Sequence, residues 1–253
     1  MTHSYPRIAL VTGATSGIGE ATVRKFIASG FAVVGSGRTA TKLAELEKEL
    51  GAAFVGVSGE AYDDSVIDLL FTTAEKHFGR QADLVVVNAG RGLGGSVKDC
   101  DRTEFLDVLK VNVVGALGLM QKAAQKMVEA QKTRFPQHAA DIIVIGSVVG
   151  KHVSPFSAVY GSTKFAVHSL AEGLRREIGP KGVRVSLVMP GIVVSGFQEV
   201  AKYSDELVKR FHDNFGPLLY GKDIANAIHS IVTLPPHVHV SDIVVRPTRQ
   251  DYP

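Results

Sequence analysis

The chain has 253 residues, 45% of them hydrophobic, and carries 28 lysines and arginines against 25 acids, for a formal charge of +3. That length suffices for one large core, so a single domain over 1–253 is expected; the dispersed, nearly balanced charge excludes the basic footprint of a nucleic-acid binder, and no apolar run approaches the roughly 20 residues of a membrane span. The one cysteine, Cys100, forms no internal disulfide, and an apolar strand pattern opening at Ile8 leaves no room for a secretory leader, which together predict a soluble, cytoplasmic protein.

In chain order, residues 8–11 read as a first strand and 19–29 as an amphipathic helix, followed by a strand at 32–36 and a helix at 40–50. A strand at 53–57, a helix at 63–78 and a strand at 84–87 come next. The spacing then predicts one long helix over 103–130, a strand at 142–145, a helix at 157–179, a strand at 183–188, a helix at 221–232 and a last strand at 243–245. Strands that are apolar almost throughout, alternating with helices, mark a parallel sheet covered on both faces. The expected fold class is therefore α/β: a doubly wound, three-layer, seven-stranded Rossmann sheet. Two segments interrupt the rhythm. Residues 131–140, with Pro136, read as a polar surface loop. Residues 192–219 follow a strand end, where ligands of such sheets bind, and are expected either to cover a substrate as a lid or to form a packed surface helix.

Between the first strand and the first helix lies Thr12-Gly13-Ala14-Thr15-Ser16-Gly17-Ile18-Gly19. Its glycines allow a tight turn that brings backbone N–H groups to a phosphate at a helix N-terminus, although such turns also occur for packing alone. The second strand ends at Ser36-Gly37-Arg38-Thr39, with no acid to accept from ribose hydroxyls. Arg38 offers instead a planar, permanently charged fork suited to a 2′-phosphate, which favours NADP over NAD; the alternative is a solvated arginine at a strand end. Tyr160 and Lys164, four apart in a helical pattern, share a face, where the ammonium is expected to lower the phenol toward the working pH. Many such pairs are surface neighbours and no more. Ser147, just past the strand at 142–145, brings a hydroxyl to the same carboxyl edge of the sheet, where it can hold a substrate oxygen.

Further motifs follow in matching order: Asn88-Ala89-Gly90 after the fourth strand, Asn112 in the long helix, and Pro190-Gly191 with Val193 and Ser195 after the sixth strand. Over nearly its whole length the chain resembles the short-chain dehydrogenase/reductase family, in particular NADP-dependent relatives that oxidise serine and other 3-hydroxy acids. The resemblance implies strand order 3-2-1-4-5-6-7 and hydride transfer between NADP(H) and a small carbonyl or alcohol. It implies that Tyr160 is the acid/base at the reacting oxygen, that Ser147 holds that oxygen, and that Lys164 binds the nicotinamide ribose and biases Tyr160. Asn112 would anchor a water linking Lys164 to solvent, unless it is a purely structural, helix-bending asparagine. The cofactor would lie along Gly13, Thr15, Ser16, Gly17, Ile18 and Gly19, then Arg38 and Thr39, then Glu60 and Ala61. It would continue past Asn88, Ala89 and Gly90 to Tyr160 and Lys164, and end at Pro190, Gly191, Val193 and Ser195.

Some positions depart from the family pattern. Glu60-Ala61 stands where many relatives carry Asp-Val against adenine, and Ser16 replaces a second basic residue common in NADP-dependent relatives, so Arg38 carries that preference largely alone. Arg91, Lys151 and His152 are charged residues near the expected substrate position, and Arg249 lies in a tail, Arg246-Pro-Thr-Arg249-Gln250, like that of the serine-oxidising relatives. They are candidates for an anionic substrate of the 3-hydroxy acid or semialdehyde type; the alternatives are solvated loop residues and a tail serving assembly. The resemblance also implies a homo-oligomer, tetramer or dimer, built on the helices at 103–130 and 157–179. Reduction of 3-oxoacyl carrier protein is a second reading, and an NADP-binding regulatory module without turnover a third. His237-Val-His239 has no third ligand at metal spacing, so no metal is expected.

Overall fold

The computed structural model describes residues 5–154, 157–201 and 203–252. The first half alternates strand and helix: β1 (Ile8–Thr12), α1 (Gly17–Ala28), β2 (Ala32–Gly37), α2 (Ala40–Leu50), β3 (Phe54–Ser58), α3 (Asp64–Phe78) and β4 (Leu84–Val87). Then come α4 (Arg102–Leu109), α5 (Ala116–Arg134), β5 (Asp141–Ile145), α6 (Ala158–Ile178) and β6 (Arg184–Pro190). The remainder is β7 (Val193–Val194), α7 (Phe197–Val200), α8 (Asp205–Phe215), β8 (Leu219–Tyr220), α9 (Gly221–Val232) and β9 (Asp242–Val245). Seven strands form one sheet in the order β3-β2-β1-β4-β5-β6-β9, every pair parallel, which is the expected 3-2-1-4-5-6-7 with β9 as its seventh strand.

Alternation along each strand sorts its side chains between two cores. Ile8 and Leu10 of β1 face a core filled by α3, α5 and α6, with Leu70, Phe71, Leu119, Met120 and Ile178 fully buried. Ala9 and Val11 face a second core made with α1, α2 and α9, through Val23, Phe26, Leu43 and Ile228. The central strands β1, β4, β5 and β6 are buried along their whole length, which is why they read as continuous apolar runs.

The amino edge of the sheet is tied by a buried charge network that the hydrophobic pattern does not reveal. Asp141, wholly buried at the start of β5, accepts from Arg184 Nε at 2.7 Å and Nη2 at 2.9 Å, and from Arg7 Nη2 at 2.8 Å. Arg7 Nε also donates to Asp83 at 2.8 Å, so the four central strands share one ionic clamp.

Two expectations for the middle of the chain are corrected. The helix expected over 103–130 is two helices joined by a π-helical turn, Lys110–Gly115; its apolar period runs on, but Gly115 lies so close to the chain past β3 that a Cβ there would stand 2.8 Å from the Ala61 carbonyl. The loop expected over 131–140 is shorter, because α5 continues to Arg134. Gln131 is buried there, its Nε2 donating to the carbonyls of His138 at 2.9 Å and Gly182 at 2.8 Å, so its polarity marks a tether inside the fold. Within 192–219, the short strands β7 and β8 pair in parallel and pin both ends of a segment that carries α7 and α8.

Candidate active site

The carboxyl edge of the sheet gathers the predicted residues. Gly13 and Gly17 both adopt positive φ, and Gly19 packs so tightly that a Cβ would stand 2.1 Å from the Gly13 carbonyl oxygen. Thr12 and Asn88 fasten this turn to the end of β4: Thr12 Oγ1 accepts from the N–H groups of Asn88 and Ala89 at 3.1 and 3.0 Å, and Asn88 Nδ2 donates to the Thr12 carbonyl at 2.8 Å. Asn88 therefore shapes the turn with its side chain. Ser16 stands at the N-cap of α1 and makes no side-chain cap, which leaves the first-turn amides open to an anion. Ile18 lies in that first turn, Thr15 packs against Gly37 at the end of β2, and Ser195 leans over Gly17 from the segment past β6.

Further along the edge, Arg38 and Thr39 are exposed past β2, and Arg38 has no ion pair or hydrogen bond among the described residues. Glu60 and Ala61 are half-buried past β3. A Cβ on Gly90 would lie 3.7 Å from Lys164 Nζ, which brings the loop past β4 against α6. Pro190, the last residue of β6, and Gly191 and Val193 just beyond it close the row. A glycine turn at a helix N-terminus, with a lysine at the far end of the row, fits a dinucleotide cofactor.

Ser147 caps a short 3-10 turn, Val148–Gly150, after β5, while Tyr160 and Lys164 stand one turn apart on α6. Tyr160 and Lys164 are both buried, and the Ser147 hydroxyl is a hydrogen-bond partner of the phenol. Lys164 Nζ donates to the Ile145 carbonyl at 2.8 Å and lies 5.8 Å from the centre of the Tyr160 ring. Burial lowers this ammonium to about 8. The Tyr160 hydroxyl is not lowered as expected: burial, with the nearby Tyr203 phenol, pushes it well above the ordinary phenol range, and the Ser147 hydrogen bond only partly opposes this.

Asn112 sits in the π turn. Its Oδ1 accepts from the Arg91 N–H at 2.8 Å, while Nδ2 donates to the Arg91 carbonyl at 2.9 Å and to Thr163 Oγ1 at 3.0 Å. Thr163 donates in turn to the Tyr160 carbonyl at 2.7 Å. The π turn, a device that recurs at functional sites, thus docks the loop past β4 onto the helix that carries Tyr160.

The covering segment reaches this centre through aromatic residues that sequence reasoning missed. Phe197 meets Tyr160 edge-on at 5.3 Å between ring centres, and Tyr203 and Phe211 extend the contact outward. Only a mixed helical pattern marked them in the sequence. Of the substrate candidates, Arg91 is half-buried with its backbone fixed by Asn112, and Lys151 and His152 are exposed on the turn after Ser147. The Arg249 guanidinium donates to the Gly216 carbonyl at 3.1 Å and the Asp213 carbonyl at 3.5 Å, capping the end of α8. Its neighbour Gln250, buried and not anticipated, accepts from the Ile192 N–H at 2.9 Å and so braces the loop past β6. Among the described residues, no group of three or more His, Cys, Asp or Glu side chains is placed to hold a metal ion, and no helix is long and apolar enough to cross a membrane.

Comparison with known proteins gives the same picture. A family model for short chain dehydrogenase matches residues 7–205. An uncharacterized oxidoreductase of Staphylococcus aureus is 33% identical over 248 residues, covering 98% of this chain and 100% of that one. The closed form of serine dehydrogenase complexed with NADP+ is similar at 29% identity and a TM-score of 0.87, over 97% of this chain and 96% of that one. A 3-ketoacyl-(acyl-carrier-protein) reductase from Brucella melitensis complexed with NADH also gives a TM-score of 0.87, at 25% identity over 97% of this chain and 98% of that one.

Proposed function

Because the chain belongs to the short-chain dehydrogenase family, and is an oxidoreductase on that ground, we propose that it transfers hydride between NADP(H) and a small, anionic carbonyl or hydroxy substrate, with Tyr160 as acid/base. The observation that carries this reading is the buried Tyr160 phenol, with the Ser147 hydroxyl near it and Lys164 behind it, at the same sheet edge as the glycine cradle. The bound cofactor supplies or accepts the hydride. Tyr160, protonated at neutral pH because of its burial, gives its proton to the carbonyl oxygen, and Ser147 donates a second hydrogen bond to that oxygen. Phe197 keeps water away from the phenol.

Lys164, largely charged at pH 7, balances the negative charge left on Tyr160 and has N–H groups beyond the Ile145 bond to meet the cofactor ribose. Both polar side-chain atoms of Asn112 are engaged by Arg91 and Thr163, so a water linking Lys164 to solvent would rest on the Asn112 main-chain carbonyl. Arg38, free at the end of β2, supports NADP over NAD. The serine dehydrogenase likeness, with Arg91, Lys151 and His152 about the mouth, supports an anionic substrate of the 3-hydroxy acid or semialdehyde type. Arg249 contributes by holding α8 of the cover.

The test is NADPH and NADH oxidation against aldehydes, ketones, 3-oxo acids, carboxylated semialdehydes and 3-oxoacyl carrier protein, with NADP reduction by serine and 3-hydroxy acids beside it. Turnover of small anionic substrates with NADPH is the expected result. Turnover confined to the acylated carrier would replace the substrate reading with the reductase one, and a preference for NADH would remove the role given to Arg38.

A further inference from the structure

His168 lies on α6 one turn beyond Lys164 and two beyond Tyr160, on the face that looks toward the end of β5. Its ring fills a niche under the Ser147 turn that two glycines hold open. A Cβ at Gly146 would stand 2.3 Å from His168 Nε2, and one at Gly150 would stand 2.5 Å from Cε1. Into this niche the Ser147 N–H donates to His168 Nε2 at 3.2 Å. An imidazole nitrogen that accepts carries no proton, so in the neutral ring the proton sits on Nδ1, while Cε1 and Nε2 pack against Gly150. The ring therefore spans the 3-10 turn from one end to the other and fixes the backbone that carries the Ser147 hydroxyl.

We propose that His168 is a positioning residue for the reaction: by accepting from the Ser147 N–H in the niche between Gly146 and Gly150, it sets the Ser147 hydroxyl against Tyr160. This rests on the role given to Ser147 above. The bond requires a neutral ring. Burial and the Lys164 charge lower the imidazole to about 4, Lys151 on the turn adds to that effect, and Asp242 on β9 opposes it. A ring protonated on both nitrogens would confront the Ser147 N–H with a second donor and release the turn.

The proposal is tested with His168→Leu, which removes the acceptor, His168→Gln, whose amide oxygen can take the place of Nε2, and Ser147→Ala, alone and combined with His168→Leu. The expected result is a kcat lowered about 10- to 100-fold in His168→Leu, as for a reactive group displaced by about an ångström, with the KM for NADPH unchanged. Gln at 168 recovers most of the activity, and Leu at 168 costs nothing further once Ser147 is alanine. An equal loss in both backgrounds would mean that His168 does not act through Ser147, and overturns this inference alone. If Ser147→Ala keeps full turnover, the role of Ser147 falls and this inference with it. Nitrogen-15 NMR of the wild-type histidines reads the geometry without turnover or folding of a variant: a neutral Nδ1–H ring down to about pH 5 is expected. A ring protonated on Nε2 at neutral pH overturns the proposal whatever the kinetics show.

Discussion

In the proposed reaction Tyr160 is the acid/base, and its environment would set which direction is easy. A phenol kept protonated by burial is ready to give a proton, so carbonyl reduction should be nearly flat in pH from about 6 to 7 and fall toward and above about 8 as Lys164 loses the charge that balances the phenolate. Alcohol oxidation needs the proton removed first, so its rate should climb as pH rises above about 7; initial rates in both directions across pH would show this, and parallel profiles would contradict it. Arg38 makes a separable prediction. Arg38→Leu should raise the KM for NADPH about 10- to 100-fold, the worth of a charge-assisted fork to phosphate, and leave NADH kinetics unchanged. Ser147, Tyr160, Lys164 and Arg38 were readable as candidates because signals that are weak one by one converge on one sheet edge, in the order and spacing of the family motifs. His168 was not: one histidine on a helix has no distinctive spacing, and its partners Gly146 and Gly150 look like turn glycines until the ring is seen between them.

Among the elements, the strands were readable because double burial writes continuous apolar runs, whereas their order came from the family resemblance. The π turn was not, because the apolar period carries across it and its cause lies elsewhere, in Asn112 reaching Arg91 and Thr163 and in the backbone past β3 meeting Gly115. The ionic clamp at the amino edge was equally hidden, since Arg7, Asp83, Asp141 and Arg184 are far apart in sequence and adjacent only once four strands are in register. Asp141→Ala strands two arginines, Arg184 in a buried site, and should cost about 3–5 kcal/mol in urea unfolding. Because that clamp lies at the opposite edge from Tyr160, KM values at a temperature where the variant is folded should stay unchanged. A stability loss below about 1 kcal/mol would show the clamp to be dispensable.

At the scale of the whole molecule, exposed apolar side chains collect on the elements that the family resemblance assigns to assembly: Leu106 on α4, Val114 on the π turn, Leu117 on α5 and Phe165 on α6. The proposed homo-oligomer would cover them, and Val114→Glu with Leu117→Glu should shift sedimentation to the monomer while NADPH binding survives; an unchanged sedimentation coefficient would place any contact elsewhere. Whatever the assembly, the sheet brings the glycine turn, Tyr160 with Lys164, and the aromatic cover to one edge, where they would act as one catalytic unit. The most direct test of that unit is Tyr160→Phe compared with wild type for NADPH binding by fluorescence titration and for NADPH oxidation on the best substrate of the panel. Unchanged NADPH affinity with turnover reduced about 100-fold or more is expected. Tight NADPH binding by the wild type with no turnover on any substrate, or full turnover by Tyr160→Phe, would contradict this reading.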